Sequence, residues 1–137
     1  MPYTFTLTAT IPATPVEIYE AWLDSIGHSE MTGGEATMSD EVGAEVTAWD
    51  GYISGKYLEL VPGRKIVEEW STNEWPAEYP PSRVELSFAR VAKTTRLTMV
   101  QSAVPASQAP QYRQGWKNYY WKPLRVYFAA QRKAAKG

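Results

Sequence analysis

Few side chains in this chain of 137 residues could carry out chemistry. It has no cysteine, which excludes thiol catalysis and disulfides, and its single histidine cannot form a His-rich metal site. That residue, His28, falls near the end of a short predicted helix, where a lone histidine is most often a surface or capping residue. No serine or aspartate nearby in sequence suggests the other roles of a hydrolytic triad, although the fold could supply distant partners. We therefore predict no catalytic residue, no metal ligand and no cofactor.

Two glutamates in predicted strands are the remaining candidates for acid–base chemistry. Glu68 shares strand parity with Trp70, so the two side chains should point the same way, whereas the periodicity leaves the facing of Glu59 open. If Glu68 faces the C-terminal helix, it is a carboxylate in an apolar cavity and must pair or keep its proton. In the alternative, it lies at an edge with access to water, or forms an ion pair across the sheet. The candidate partners are Arg83, Arg96 and Lys56.

Aromatic side chains make up 13% of the sequence, and several fall on faces that should point into the protein. With Glu68 as an acidic wall, they could line a cavity that binds a small molecule, since such sites combine apolar walls with a few polar groups. The alternative is a core that these rings fill completely. Trp75 and Trp121 fall off the inward pattern and could form an exposed partner surface with Tyr79. The predicted cavity residues are Trp49, Tyr57, Glu68, Trp70, Trp116, Tyr119 and Tyr120.

One long amphipathic helix is predicted from Ser107 to Lys133. Ser107 is a plausible N-cap, and Pro110 lies in the first turn, where its missing N–H does no harm. Aromatic and leucine side chains recur at three- and four-residue spacing along one face. Pro123 interrupts the helix, because a proline there removes a hydrogen bond and bends the axis. The bend could let the helix follow a curved sheet, or act as a hinge over a cavity. The predicted buried face comprises Tyr112, Trp116, Tyr119, Tyr120, Leu124, Tyr127 and Phe128.

The N-terminal part predicts a strand followed by two short helices. Apolar and threonine side chains alternate from Tyr3 to Ile11, with the period of two that indicates a strand. Thr14 to Glu17 reads as an N-cap, a proline at the first helical position and a capping-box glutamate. The first helix should bury Val16, Tyr19 and Leu23, with Trp22 at its edge. A second short helix is predicted at Ser25–Met31, ended by Gly33-Gly34.

The middle of the chain predicts about five antiparallel strands joined by turns. Asp50-Gly51 and Pro62-Gly63 lie between apolar runs and indicate hairpin turns, and a proline-rich loop spans Asn73–Pro81. A strand, two helices, these strands and a long helix together give an α+β arrangement, in which the helix lies across a curved antiparallel sheet. The predicted strands are Glu45–Trp49, Tyr52–Val61, Arg64–Thr72, Ser82–Val91 and Arg96–Ser102.

Length and charge limit the classes of protein that fit. A chain of 137 residues is most simply one domain, residues 1–137. With 14 basic and 15 acidic side chains and no basic cluster, the sequence does not suggest nucleic acid or an anionic membrane as a partner. No signal peptide and no apolar stretch of membrane-spanning length is apparent, so we expect a cytoplasmic protein.

Four segments, taken together, resemble one family of the START-like helix-grip superfamily, the activators of the ninety-kilodalton heat-shock chaperone's ATPase. The match is to their C-terminal domain, and its spacing extends over Tyr3 to Arg132. The resemblance implies the helix-grip fold, a curved antiparallel sheet wrapped around a long C-terminal helix with two short helices after the first strand. The segments are Asp50-Gly51-Tyr52-Ile53-Ser54-Gly55, Ile66-Val67-Glu68-Glu69-Trp70, Val104-Pro105 and Gly115-Trp116-Lys117-Asn118-Tyr119-Tyr120-Trp121.

Three functions are consistent with this resemblance. The first is a non-enzymatic domain that binds a small apolar or aromatic ligand in the cavity, or a protein at its surface. The second is direct stimulation of the heat shock protein 90 ATPase as a co-chaperone of the stress response. We rank it lower because the eukaryotic activators make most of their chaperone contact through a separate N-terminal domain, and because Ser71 stands where the family often has a basic residue. The third is a cyclase- or hydrolase-like enzyme with Glu68 or Glu59 as its base.

Overall fold

The computed structural model describes residues 2–136 and contains one antiparallel sheet of six strands. The strand order across the sheet is β1-β6-β5-β4-β3-β2. Each strand after β2 therefore pairs with its neighbour in sequence, and β1 joins the far side beside β6. The strands are β1 Pro2–Ile11, β2 Glu45–Ala48, β3 Ile53–Val61, β4 Lys65–Thr72, β5 Ser82–Val91 and β6 Thr94–Pro105. The predicted fold class is confirmed.

The first strand shows how the sequence pattern builds the sheet. Phe5, Leu7, Ala9 and Ile11 are buried, and the threonines between them are exposed, as a period of two requires. The pairing of β1 with β6 shifts register between Tyr3 and Phe5. This irregularity lies close to the end of β1, and Tyr3 is about half exposed.

Two short helices follow β1, α1 at Pro15–Leu23 and α2 at Ser25–Thr32. The predicted capping box is present, because the Thr14 side chain accepts from the Glu17 N–H and the Glu17 carboxylate accepts from the Thr14 N–H. Trp22 is 1% exposed, so its predicted place at the helix edge is wrong. Val16 is exposed instead, because the buried face of α1 includes Ile18 and is rotated from the predicted one.

The C-terminal helix is continuous but not uniform. It consists of α3 at Ala109–Trp116, a π-helical segment at Lys117–Trp121 and α4 at Lys122–Lys136. Its N-cap is Gln108 rather than Ser107, and no side-chain hydrogen bond caps it. In the π-helical segment the Lys122 N–H donates to the carbonyl of Lys117, five residues back. This segment ends just before Pro123, which has no N–H to continue the regular pattern, so the helix widens at the predicted bend.

The π-helical segment changes which aromatic side chains face the sheet. Because its hydrogen bonds join residues five apart, Trp121 lies one turn above Trp116, and their rings stack with centroids 5.3 Å apart. Trp121 is therefore buried, and the predicted exposed patch with Trp75 and Tyr79 is wrong on this residue. Tyr119 is displaced outward and is 57% exposed, against its predicted burial.

The remaining helix positions pack on the sheet as predicted, with Trp116, Tyr120 and Leu124 each at most 3% exposed. They contact a core that the inward faces of β1, β4, β5 and β6 supply. No helix within residues 2–136 is long and apolar enough to cross a membrane.

Candidate ligand-binding site

A pocket of about 430 Å³ lies where the C-terminal helix crosses the end of the sheet that carries the β2–β3 turn and the loop after β4. Seven of the eleven residues around it are aromatic, and five of these were predicted from sequence. The lining residues are Trp49, Tyr52, Ile53, Trp70, Glu74, Gln111, Tyr112, Gly115, Trp116, Tyr119 and Tyr120. The predicted residues Tyr57 and Glu68 do not line this pocket.

A chain of buried hydrogen bonds holds the inner wall in place. The Trp116 indole N–H donates to Gln101 Oε1 at 2.8 Å, and Gln101 Nε2 donates to Ser82 Oγ at 3.0 Å. Ser82 Oγ in turn donates to the backbone carbonyl of Trp70 at 2.7 Å, so the chain of hydrogen bonds ends on the main chain of β4. The rings of Trp70 and Trp116 lie 5.7 Å apart and inclined by 30°. The Trp116 ring is therefore fixed by a polar contact as well as by packing, and the Trp70 ring by packing.

The outer wall consists of Trp49 and Tyr119, whose rings meet edge to face at 5.5 Å. Trp49 lies in the β2–β3 turn with a φ of 51°, an uncommon conformation for so large a side chain. The turn presses its ring against Gly34, where an added Cβ would lie 2.5 Å from the indole. A glycine is thus needed at position 34 for Trp49 to reach the pocket.

Glu74 is the acidic residue of the pocket mouth, and sequence reasoning missed it. It lies in the predicted proline-rich loop, and its carboxylate accepts hydrogen bonds from the Tyr52 hydroxyl and, at 2.8 Å, from Gln111 Nε2. Burial, followed by the hydrogen bond to Glu74, raises the pKa of Tyr52 to about 12. Loop residues carry no periodicity, so the only available signal was an acidic residue within four positions of Trp70.

The same loop places the Trp75 ring next to Tyr112, which lines the pocket. Its ring lies 5.5 Å from that of Tyr112, and its N–H donates to the carbonyl of Pro80 at 3.0 Å. Trp75 and Tyr79 are both half-buried. The predicted exposed apolar surface is therefore wrong, because the loop folds back on the sheet.

Glu68 lies beneath the pocket, beside a small space of about 10 Å³ that could hold one water molecule. This space shares the walls Ile53, Trp70 and Tyr120 with the main pocket. Glu68 is 4% exposed, so its side chain faces inward, as that of Trp70 does. Burial raises the pKa of Glu68 to about 8, so the carboxyl group keeps its proton at neutral pH.

The ion pairs that were the alternative for Glu68 are not formed. Lys56 pairs with Glu69 at 3.7 Å, and Arg83 pairs with Glu85 at 3.1 Å. Glu59 pairs with Lys65 at 3.5 Å on an exposed part of β3, away from the pocket. The two predicted candidates for a base thus lie in opposite environments.

His28 is fully buried, so its interpretation as a surface or capping residue is wrong. Its Nδ1 lies 3.0 Å from the carbonyl of Trp22 and its Nε2 lies 3.0 Å from the Tyr120 hydroxyl. A carbonyl can only accept, so Nδ1 carries the proton and Nε2 accepts from Tyr120. Burial lowers the pKa of His28 to about 4, which keeps the ring neutral. The helix-end position in the sequence gave no sign of this contact with a residue 92 positions away.

Tyr57 belongs to the core rather than to the pocket. It is fully buried and its hydroxyl donates to Met38 Sδ at 3.5 Å. Burial raises its pKa, and the nearby Glu68 adds to that shift. Its predicted inward face is correct, but the helix lies too far along the sheet to include it in the pocket wall.

The arrangement is suited to binding. Aromatic faces and edges surround an open volume, and polar side chains lie at its mouth and beneath it. Within residues 2–136 no cluster of three or more His, Cys, Asp or Glu side chains could hold a metal ion.

The fold is the START-like helix-grip fold. An HSP90 activator from Plasmodium falciparum superposes with a TM-score of 0.82 at 23% sequence identity, over 90% of this chain and 94% of that one. A protein from Chromobacterium violaceum superposes with a TM-score of 0.70, also at 23% identity, over 91% of this chain and 96% of that one.

The sequence defines the family within this fold. Residues 12–129 match the family described as Activator of Hsp90 ATPase homolog 1-like protein, and the chain belongs to that family. The human Activator of 90 kDa heat shock protein ATPase homolog 1 is 30% identical over 123 residues, which cover 90% of this chain and 36% of the human protein. The Dictyostelium discoideum homolog is 26% identical over 83% of this chain and 30% of its own length. This chain thus spans about a third of the length of the curated relatives that it matches.

Proposed function

We propose that this domain binds a small aromatic ligand in the pocket between the sheet and the C-terminal helix, without catalysing a reaction. The observation that carries the proposal is the open volume of about 430 Å³ bordered by Trp49, Trp70, Trp116 and Tyr119. A core that the rings filled completely would leave no such volume. Flat rings on several walls favour a flat ligand, because stacked and edge-to-face contacts contribute beyond simple burial.

The positions of Glu68 and Glu59 argue against an enzyme that uses either of them as its base. A general base must be ionised and within reach of the proton that it removes. Glu68 keeps its proton at neutral pH and adjoins a space for one water molecule, while Glu59 lies in an exposed ion pair. Neither carboxyl group therefore meets both conditions in the pocket.

A fluorescence titration tests ligand binding. Flavonoid, sterol and fatty-acid ligands are added while tryptophan emission is followed. We expect the flat flavonoids to quench this emission with micromolar affinity, which corresponds to a binding free energy of about −8 kcal/mol. Tyr119→Trp would narrow the pocket mouth and weaken binding at a nearly unchanged melting temperature, because Tyr119 is 57% exposed. Glu20→Gln, on the exposed face of α1, is the matched control. A flat response for every ligand, together with a crystal structure that shows no void larger than a few water molecules, would refute the proposal.

A second candidate function is stimulation of the heat shock protein 90 ATPase, and the names of the matched relatives favour it. The matched part is about a third of the length of the relatives named as activators, so their activity could depend on the remaining part. We expect little or no stimulation when this chain alone is added to the chaperone of its own species. A several-fold rise in ATP hydrolysis at micromolar concentration would make the co-chaperone the primary function.

A further inference from the structure

We propose that the pocket selects a positively charged aromatic ligand, such as an N-alkylated heteroaromatic cation, through its ring faces, Glu74 at the mouth and Glu68 beneath the floor. This inference rests on the proposed ligand-binding function and names the chemical class of its ligand.

The charges around the pocket have one sign. Of the eleven residues that line it, Glu74 is the only charged one, and none is lysine, arginine or histidine. The adjoining small space adds His28, which is neutral, and Glu68, which is protonated at neutral pH and can supply a negative charge once it ionises near pH 8. An anionic ligand would therefore meet a carboxylate and no cation among the lining residues. A cationic ligand would meet a site without a competing positive charge.

The walls supply the second part of the selectivity. The face of an aromatic ring is electronegative and attracts a cation held within about 6 Å of its centre, most strongly for tryptophan. Three tryptophans border this pocket: Trp70 and Trp116 stack on each other in the inner wall, and Trp49 forms the more exposed outer wall with Tyr119. A flat cation against these rings would gain stacking and cation–π attraction together.

Glu74 is held in place but is not neutralised. The Tyr52 hydroxyl and Gln111 Nε2 both donate to its carboxylate, which fixes it beside the mouth. The three ion pairs among the described side chains, residues 3–134, join other residues, so no lysine or arginine there forms a salt bridge with Glu74. Its charge is thus available to a ligand, and the two neutral donors strengthen its position without cancelling it.

Glu68 is the independent observation that points to a ligand. It is 4% exposed, and its raised pKa has burial as its cause, with no charged side chain among the described residues to offset it, which is a costly state for a buried carboxyl group. The groups around it are Tyr57 and Val84 on the adjacent strands, Tyr120 on the helix and His28 on α2. All of these are uncharged at neutral pH. The walls Ile53, Trp70 and Tyr120 separate the main pocket from the small space beside Glu68. A cationic ligand in the main pocket would bring a positive charge close to this carboxyl group.

The test compares three tricyclic probes of nearly the same shape by isothermal titration calorimetry at pH 7.5. They are 10-methylacridinium, which is permanently cationic, neutral acridine, and anionic acridine-9-carboxylate. We expect 10-methylacridinium to bind at least tenfold more tightly than acridine, and the carboxylate to bind most weakly. Equal affinity for the cation and for acridine would overturn the charge selectivity while leaving the proposed function intact. Binding by none of the probes would overturn both.

Variants assign the selectivity to the two carboxyl groups. Glu74→Gln and Glu68→Gln should each reduce the preference for 10-methylacridinium over acridine several-fold, with acridine affinity nearly unchanged. Glu20→Gln removes one negative charge from α1, away from both spaces, and controls for the net charge of the protein. A fall in cation preference as large in Glu20→Gln as in the other two variants would mean that the overall charge, rather than the pocket, attracts the cation.

A pH series separates Glu68 from Glu74. If the bound cation favours the ionised form of Glu68, affinity for 10-methylacridinium should rise several-fold from pH 6.5 to 8.5 in the wild type. In Glu68→Gln this rise should disappear, whereas Glu74→Gln should keep it. His28, Tyr57 and Tyr120 stay neutral over this range, because burial lowers the pKa of the histidine and raises those of the tyrosines. A rise that persists in Glu68→Gln would contradict the role of Glu68.

Discussion

Replacing Gly115 with leucine should separate ligand binding from folding. Gly115 lies on the pocket wall in α3, and a Cβ added there would meet only Tyr119 Cδ2, at 3.9 Å. This is ordinary van der Waals contact, so the helix accepts a side chain at this position without a shift of the backbone. The four carbons of leucine would then occupy space that the ligand needs.

The expected magnitudes have opposite signs for stability and binding. Leucine favours a helix over glycine by about 0.8–1 kcal/mol, so the free energy of unfolding should rise by about that amount. For a chain of 137 residues this corresponds to a melting temperature about 3–4 °C higher. Affinity for a flat aromatic ligand should fall more than tenfold, which is about 1.4 kcal/mol.

Gly115→Ala is the matched control, because it gives the same gain in helix propensity with a single carbon. We expect it to raise the melting temperature similarly and to bind ligand within about threefold of the wild type. Thermal unfolding measures stability, and calorimetry with 10-methylacridinium measures binding. If Gly115→Leu bound the probe as tightly as Gly115→Ala, the pocket beside α3 would not be the binding site.

Three further changes test the core and the buried polar groups. Trp116→Ala should lower the free energy of unfolding by about 3–5 kcal/mol, since it removes a buried ring and leaves Gln101 Oε1 without its donor. A melting temperature within a degree of the wild type would show that the helix is not docked. Tyr120→Phe should lower the free energy of unfolding by about 1–3 kcal/mol, because Nε2 of buried His28 loses its only donor among the described residues. Denaturant unfolding measures this loss, and an unchanged free energy would contradict the contact. Glu68→Gln should stabilise the protein at pH 8 and have little effect at pH 4. Unfolding is measured at both pH values, and equal effects at the two would contradict a buried, protonated Glu68.

The pH dependence of stability follows from two buried groups with opposite shifts. The pKa of Glu68 rises from 4.5 to about 8 on folding, so the folded state holds a proton that the unfolded state releases, and stability falls as pH rises through this range. The pKa of His28 falls from 6.5 to about 4, so stability falls as pH drops through that range. Each slope is about 1.4 kcal/mol per pH unit, so the two cancel between pH 4.5 and 6.5. Above pH 6.5 only the Glu68 slope remains, and Glu68→Gln should remove it.

The fold could be predicted from sequence because its signals are local. The alternation in β1 and the capping box at Thr14 are set by neighbouring residues, and both are present as predicted. The family resemblance added the helix-grip arrangement, in which the sheet wraps around the long helix, and local patterns do not contain this. The π-helical segment was missed, since Pro123 predicts a disturbance but not the hydrogen-bond pattern that absorbs it.

The site was predicted only in part, because tertiary contacts decide which side chains share a wall. Six aromatic residues were predicted for the cavity, and five of them line the pocket, whereas Tyr57 does not. Glu74 comes from a loop without periodicity, and the burial of His28 depends on Tyr120, far away in sequence. Glu68 was expected in the pocket wall, but the sheet places it one layer deeper, behind Trp70 and Tyr120.

A crystal structure of the protein grown with saturating 10-methylacridinium tests the central claim most directly. We expect the tricyclic ring in the pocket, lying against Trp70 or Trp116, with its charged edge toward Glu74 and the volume of about 430 Å³ largely occupied. The contradicting result is a pocket that side chains close to no more than a few water molecules, with the probe absent or bound elsewhere on the surface. That outcome would leave a filled aromatic core in place of a binding site.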